Sequence, residues 1–245
     1  MASQLEPIHP RKIFDIGCGT GEGIAAIRQR FGCNILSIDE NIFCIRRSAG
    51  VMRDLGAKVQ TLERFRYFDE PSGRHALGIE NAPINLSREV MLVQADILLP
   101  DNAFREFLFK KAPFDAVTVW LIGAYMGRQS CINLDTLNRK NFGEYRLYAQ
   151  NRVYELAAQI LPKGGVLHIV DRAEVPGTQE LRDDVLNGHR AQAASTDLEV
   201  QTLSYRPYIE HTRGQGIRMV TTPGTSGRKT ETPDVAMISV TSRKM

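Results

Sequence analysis

Residues Asp15-Ile16-Gly17-Cys18-Gly19-Thr20-Gly21-Glu22-Gly23 carry the clearest chemical signal in this chain of 245 residues. They follow the apolar pair Ile13-Phe14 and lead into Ile24-Ala25-Ala26-Ile27, so the local order is strand, glycine-rich turn, helix. Glycine reaches positive φ and has no Cβ, which lets a ligand approach bare backbone. The helix that follows directs its first unpaired N–H groups to the same place. Such a loop alone serves dinucleotides, nucleotides and other adenosine-bearing cofactors. Two acids narrow the set. Asp15 stands two residues before the first glycine, where it would repel a pyrophosphate and suit a ligand with a cationic group. Asp39 ends the next apolar run, Asn34-Ile35-Leu36-Ser37-Ile38. It lies about 20 residues after the loop, where a carboxylate accepts the two hydroxyls of a ribose. The ligand so described is cationic, bears a ribose and lacks phosphates.

Three later stretches extend the pattern: Val93-Gln94-Ala95-Asp96-Ile97, Phe114-Asp115-Ala116-Val117-Thr118-Val119-Trp120, and Leu161-Pro162-Lys163-Gly164-Gly165 followed by Val166-Leu167-His168-Ile169-Val170. Taken in order with the glycine loop and Asp39, they resemble the class I S-adenosylmethionine-dependent methyltransferases over about residues 12–171. The resemblance implies S-adenosyl-L-methionine as cofactor. It places Asp15, Gly17, Gly19 and Gly21 under the methionine part and Asp39 on the ribose hydroxyls. Asp96 and the backbone N–H of Ile97 would contact adenine, and Trp120 would lie near cofactor and substrate. A nicotinamide oxidoreductase is the competing reading of the loop, and Asp15 is its awkward residue.

These residues need a scaffold that brings strand ends together. Strands and helices alternate, which predicts an α/β fold with a doubly wound, mostly parallel sheet. By the same resemblance the sheet has seven strands, with an antiparallel pair at its C-terminal edge formed by Leu198–Leu203 and Val235–Val240. Asn41 predicts the cap of a helix bearing Ile42, Ile45, Ala49 and Met52 on one face, with Gly56 as its stop. Val153, Leu156, Ala157, Ile160 and Leu161 form a second stripe ending at Pro162 and Gly164. A further helix is expected from Thr178 to about Ala194. With no internal repeat, the reading is a single domain over residues 1–245. Segments 57–89, 122–141 and 206–234 exceed ordinary connections and are read as lid or substrate inserts.

Composition sets outer limits. A net charge of +3 does not by itself imply a nucleic-acid partner. From Tyr205 onward seven Lys/Arg stand against three Asp/Glu, a modest basic bias. No N-terminal run resembles a signal peptide and none reaches membrane-spanning length. Cys18, Cys33, Cys44 and Cys131 lack C-x-x-C spacing, which reads as reduced thiols in a cytoplasmic protein. Five scattered histidines predict no metal site.

Several residues have a plainer reading beside the chemical one. Asp39 and Asp96 are also the residue type that caps helices, though their order favours ligand contact. Trp120 is equally a core residue. Tyr125 and Asp171 follow strand ends, where a surface role outweighs handling of a substrate proton. His168, inside an apolar strand, is expected to be packed rather than basic. Arg64-Phe65-Arg66-Tyr67-Phe68 is expected to be a solvated helix face with buried aromatics rather than a base-stacking cluster. Cys18 is expected to be a small silent side chain.

Methyl transfer to a competent nucleophile needs little beyond positioning and exclusion of water, so no catalytic residue is assigned. The fourth strand ends Trp120-Leu121-Ile122-Gly123, unlike the tetrapeptide of many amino-group methyltransferases. The favoured acceptor is an O or N atom of a small molecule. An RNA or protein acceptor docking on the basic late insert is the alternative, and a non-catalytic methyltransferase-like partner protein is another.

Overall fold

The structure is a computed structural model that describes residues 1–123, 130–132, 135, 142–208 and 234–245. A short 3-10 helix, Ala2–Ile8, precedes the first strand, β1 (Lys12–Ile16). Then follow α1 (Glu22–Phe31), β2 (Asn34–Asp39), α2 (Ile42–Asp54), β3 (Val59–Leu62), β4 (Phe65–Asp69), β5 (His75–Ile79) and β6 (Val90–Gln94). The chain continues through α3 (Asn102–Lys111), β7 (Ala116–Trp120), α4 (Phe142–Ile160), β8 (Val166–Glu174), α5 (Gln179–Ala193), β9 (Leu198–Pro207) and β10 (Val235–Lys244).

Eight strands form one sheet in the order β3-β6-β2-β1-β7-β8-β10-β9. The first six are mutually parallel, while β10 runs antiparallel to both β8 and β9. The doubly wound sheet and its antiparallel edge are therefore as expected, with one strand more than seven. The extra strand is β3, whose four residues, Val59-Gln60-Thr61-Leu62, are too few to give a clear alternation.

Inner strands are apolar on both faces because helices cover both. Ile13, Ile35, Val90, Leu92, Ala116 and Val166 pack against Leu5, Ile24 and Ile27 of the N-terminal segments and Ile45, Ala49 and Met52 of α2. The alternate residues Phe14, Leu36, Ile38, Val93, Val117, Val119, Leu167 and Ile169 meet Phe104, Phe107 and Leu108 of α3 and Val153, Tyr154, Ala157 and Ile160 of α4. Each such aliphatic side chain contributes roughly 1.5–3 kcal/mol on burial, so truncating one leaves a costly void. Local signals set the helix starts: Asn41, Asp101 and Thr178 accept from the backbone N–H groups of Phe43, Phe104 and Leu181.

The segment Arg64–Phe68 is not a helix. It opens a hairpin, β4–β5, turned at Glu70–Arg74 with Gly73 at φ 76°. Tyr67 and Phe68 are 44% and 56% exposed rather than buried, while Arg64 is buried. The tip is tied by Arg74 to Asp135, at 2.9 and 2.5 Å, and by a bridge between His75 and Cys131. The remaining inserts, 122–141 and 206–234, lie largely outside the described residues, as does Tyr125. Among the described residues no helix is long and apolar enough to cross a membrane.

Candidate cofactor site

In the sheet β1 is flanked by β2 and β7, so the chain winds in opposite directions on its two sides. A crevice opens outside the C-terminal ends of strands at such a point, and ligands of open α/β sheets bind there. The residues assigned to the cofactor from the sequence lie at this edge or, for Asp15, one residue inside it. Asp15 to Gly21 leave β1, Asp39 ends β2, Asp96 and Ile97 follow β6, and Trp120 ends β7.

The loop is held from below and bare above. The N–H groups of Gly17 and Cys18 both donate to the carbonyl of Ile38, at 2.8 and 3.2 Å, and the hydroxyl of Ser48 donates to the carbonyl of Gly19 at 3.0 Å. Gly17, Gly19 and Gly21 have φ of 86°, 51° and 102°. A Cβ on Gly17 or Gly19 would meet no atom within 4 Å, so the backbone there faces open space. Gly21 is different: its Cβ would lie 2.9 Å from Cα of Ser48, so close packing on α2 excludes a side chain. As the residue before α1, Gly21 also brings no capping side chain, which leaves the helix end for a ligand.

Asp39 turns its carboxylate into the loop. Its Oδ2 accepts from the Gly19 N–H at 3.0 Å and its Oδ1 from the Asn41 N–H at 2.8 Å. Burial raises its pKa, and these two donors partly oppose that. The Cys18 thiol is a weak third donor, 4.0 Å from Oδ2, so of the carboxylate's about four lone-pair positions Oδ1 keeps one open and a second hydroxyl would displace that weak donor from Oδ2. Asp96 accepts from the Leu98 N–H at 2.8 Å and forms a tight turn after β6. Ile97 packs partly buried against the core beside it.

Asp15 is held differently from the other acids. It is buried within the sheet, where the hydroxyls of Ser37 and Thr118 donate to it, each at 2.6 Å. The three residues are in register on β2, β1 and β7. Burial pushes the Asp15 carboxyl up to about 6, against the pull of the two hydroxyls. Asp15 therefore supplies charge beneath the loop, with both oxygens already engaged.

Trp120 is partly buried, packed against the core on the α1 side of the sheet. Its Nε1–H donates to Nδ1 of His168 at 3.1 Å, and its ring lies over Gly23 of α1. His168 is fully buried, as expected of a packed residue. Cys18 is buried with its thiol pushed up by burial, which leaves little thiolate. Asp171 accepts from Gln150 and the backbone N–H of Arg172 and pairs with Arg146, so it is a held acceptor rather than a poised base.

Sequence reasoning passed over Gln94. Its Oε1 accepts from the N–H groups of Arg64 and Phe65, at 3.2 and 3.0 Å, and its Nε2 donates to the carbonyl of Glu40. One side chain thus joins the hairpin base to the loop after Asp39. The available signal was a lone amide at the end of the apolar run Val90-Met91-Leu92-Val93.

No protein-family model matches the chain, and no curated protein matches it. Solved structures do. A candidate rRNA methylase from Clostridium thermocellum aligns over 99% of this chain and 96% of its own, with a TM-score of 0.51 and 13% identity. The N-methyltransferase NodS from Bradyrhizobium japonicum, in complex with S-adenosylhomocysteine, aligns over 100% and 86%, with a TM-score of 0.49 and 11% identity. A candidate sarcosine dimethylglycine methyltransferase from Galdieria sulphuraria aligns over 84% of this chain, with a TM-score of 0.46 and 13% identity. This chain spans 62% of that protein's length. The first of these, matched over nearly the whole of both chains, shows a shared fold: the chain has the Rossmann-like methyltransferase fold.

Proposed function

We propose that this protein is an S-adenosyl-L-methionine-dependent methyltransferase acting on an O or N atom of a small molecule. The observation that carries the reading is the open backbone of Gly17 and Gly19 with the Asp39 carboxylate reaching the same loop. A bare cradle beside a carboxylate with an open lone pair suits a ribose-bearing ligand. The buried Asp15 charge beneath suits a cation and repels a pyrophosphate.

The cofactor supplies a methyl group already activated on a sulfonium. The protein's part is to bind and orient. Asp39 receives the ribose hydroxyls, and Asp96 with the backbone of Ile97 lines the adenine end. The first turn of α1 receives the amino-acid end, with the buried Asp15 carboxylate acting on it only through its charge from beneath the loop, and Trp120 walls the crevice beside β7. Holding two reactants in line lowers the barrier by removing the entropy of their encounter, which is the main contribution such a site makes.

Calorimetric titration with S-adenosylmethionine, S-adenosylhomocysteine and NAD tests the cofactor. Micromolar binding of the first two, absent with NAD and lost in Asp39→Ala, is expected; NAD binding or none at all overturns the reading. Transfer of labelled methyl to a panel of small nucleophiles and to bulk RNA then tests the acceptor. Labelling of RNA alone, with binding that weakens steeply as salt rises, would replace the small molecule by RNA.

A further inference from the structure

Trp120 is held on two sides by interactions that fix its ring. Below it, Gly23 lies in the first turn of α1, where a Cβ would come within 3.1 Å of the indole Cε3. Beside it, the His168 ring meets the indole edge-on at 84°, with centroids 5.5 Å apart. The indole N–H donates to Nδ1 of His168 at 3.1 Å, and Nε2 of His168 lies 2.8 Å from the hydroxyl of Ser239. A tryptophan N–H can only donate, so Nδ1 is the acceptor and the imidazole proton resides on Nε2, directed at Ser239. Burial lowers the His168 pKa to about 3, with the N-terminal ammonium a smaller contribution in the same direction. The ring is therefore neutral and keeps its acceptor at any pH the protein normally meets. Packing alone does not require a histidine here, since Phe would fill a similar space. Phe would leave the half-buried indole N–H without the acceptor that the Nδ1 lone pair supplies.

The placement ties this pair to the cofactor loop. Thr118 and Trp120 are alternate residues of β7 on one face; Thr118 donates to Asp15 of β1, and Trp120 donates to His168 of β8. His168 pairs in register with Thr118. The indole thus projects from the strand that braces the loop, and it covers the helix turn that the loop enters.

We propose that His168 is a positioning residue, which through its hydrogen bond to Trp120 orients the indole as a wall for the positively charged sulfonium end of the cofactor. The inference rests on the cofactor reading above. An indole is attracted to a cation through its ring quadrupole, and that attraction depends on orientation. Loss of the His168 acceptor should then weaken binding of the cationic S-adenosylmethionine more than binding of the uncharged-sulfur product, S-adenosylhomocysteine.

The test compares His168→Phe, which keeps a ring but loses the acceptor, with His168→Asn, whose amide oxygen can replace Nδ1. Because the chain has one tryptophan, fluorescence reports Trp120 alone. In His168→Phe, S-adenosylmethionine affinity is expected to fall about tenfold, with less than about threefold change for S-adenosylhomocysteine. Free-protein emission should shift and acrylamide quenching should rise; His168→Asn should restore both signals toward wild type. Equal losses for both ligands, or none, overturn the proposal, as does an unchanged emission spectrum in His168→Phe. If His168→Phe does not fold, Ser239→Ala, which releases Nε2, should show the same ligand asymmetry to a smaller degree, and its absence overturns the proposal. Wild-type protein that binds neither ligand removes the cofactor reading with it, whereas a wild type that binds both normally isolates the failure to His168.

Discussion

Arg64 and Asp101 form a bidentate ion pair with side chains only 1% and 2% exposed, and the same carboxylate caps α3. The guanidinium donates from Nε at 3.0 Å and from Nη2 at 2.7 and 2.8 Å, while Asp101 also accepts from the Phe104 N–H. This pair fastens the base of the β4–β5 hairpin to the helix that follows the adenine end of the crevice. Removing one partner leaves a buried charge without compensation. Arg64→Met should therefore cost about 3–5 kcal/mol. Arg64→Met with Asp101→Asn should cost less than the single variant, because the orphaned charge is gone while a cap remains. Urea unfolding of the two variants measures the difference.

Gly19→Ala and Gly21→Ala separate ligand approach from folding. At Gly19 nothing lies near a new Cβ, so the stability cost is only that of the left-handed backbone, about 1–2 kcal/mol. Cofactor affinity should nevertheless collapse, because the Cβ enters the open space above the loop. At Gly21 the Cβ meets the Ser48 backbone, and the protein itself should be destabilised by more than Gly19→Ala. Melting temperature and calorimetry on both variants check the pattern; a Gly19→Ala variant that binds as wild type places the ligand elsewhere.

Asp15 gives the protein a pH dependence whose sign can be worked out. Its folded pKa, about 6, lies above the ordinary value of 3.8. Between those values the folded state holds more protons than the unfolded one, so stability falls as pH rises through this window. The loss attributable to Asp15 approaches about 3 kcal/mol above pH 6 and is absent below about pH 4. Asp15→Asn should flatten that slope, seen as the difference between the two proteins in urea unfolding from pH 4 to 7. A cationic ligand favours the ionised form, so binding near pH 6 should release protons to the buffer. Calorimetry in buffers of different ionisation heat detects this, and the release should disappear in Asp15→Asn.

The strand–loop–helix at residues 12–31, the cap at Asn41 and the helix beginning at Thr178 were legible because each is decided within a few residues of itself. The hairpin was not. Phe65-Arg66-Tyr67 alternates as a strand does but Phe68 breaks the pattern, so although Pro71-Ser72-Gly73 marks a turn, the aromatic-basic composition suggested a helix face. Arg64 read as a surface cation because its partner lies 37 residues onward, beyond any local pattern. Ser37, Asp15, Thr118 and His168 show an intermediate case. Each is a polar residue set within an apolar strand, which is visible in the sequence. Their alignment across β2, β1, β7 and β8 emerges only once the registers are fixed.

Tyr208 and Val235 are joined by a backbone hydrogen bond of 2.8 Å, and Val175 donates to the carbonyl of Asp234 at the same distance. The two ends of the long late segment are thereby fixed about one strand spacing, some 4.8 Å, apart by β9 and β10. A two-residue turn would close that gap equally well, since lengthening a loop between fixed ends costs little free energy. Both ends of that segment are therefore anchored by the sheet itself, whose edge pair reaches out to Tyr208 and Val235.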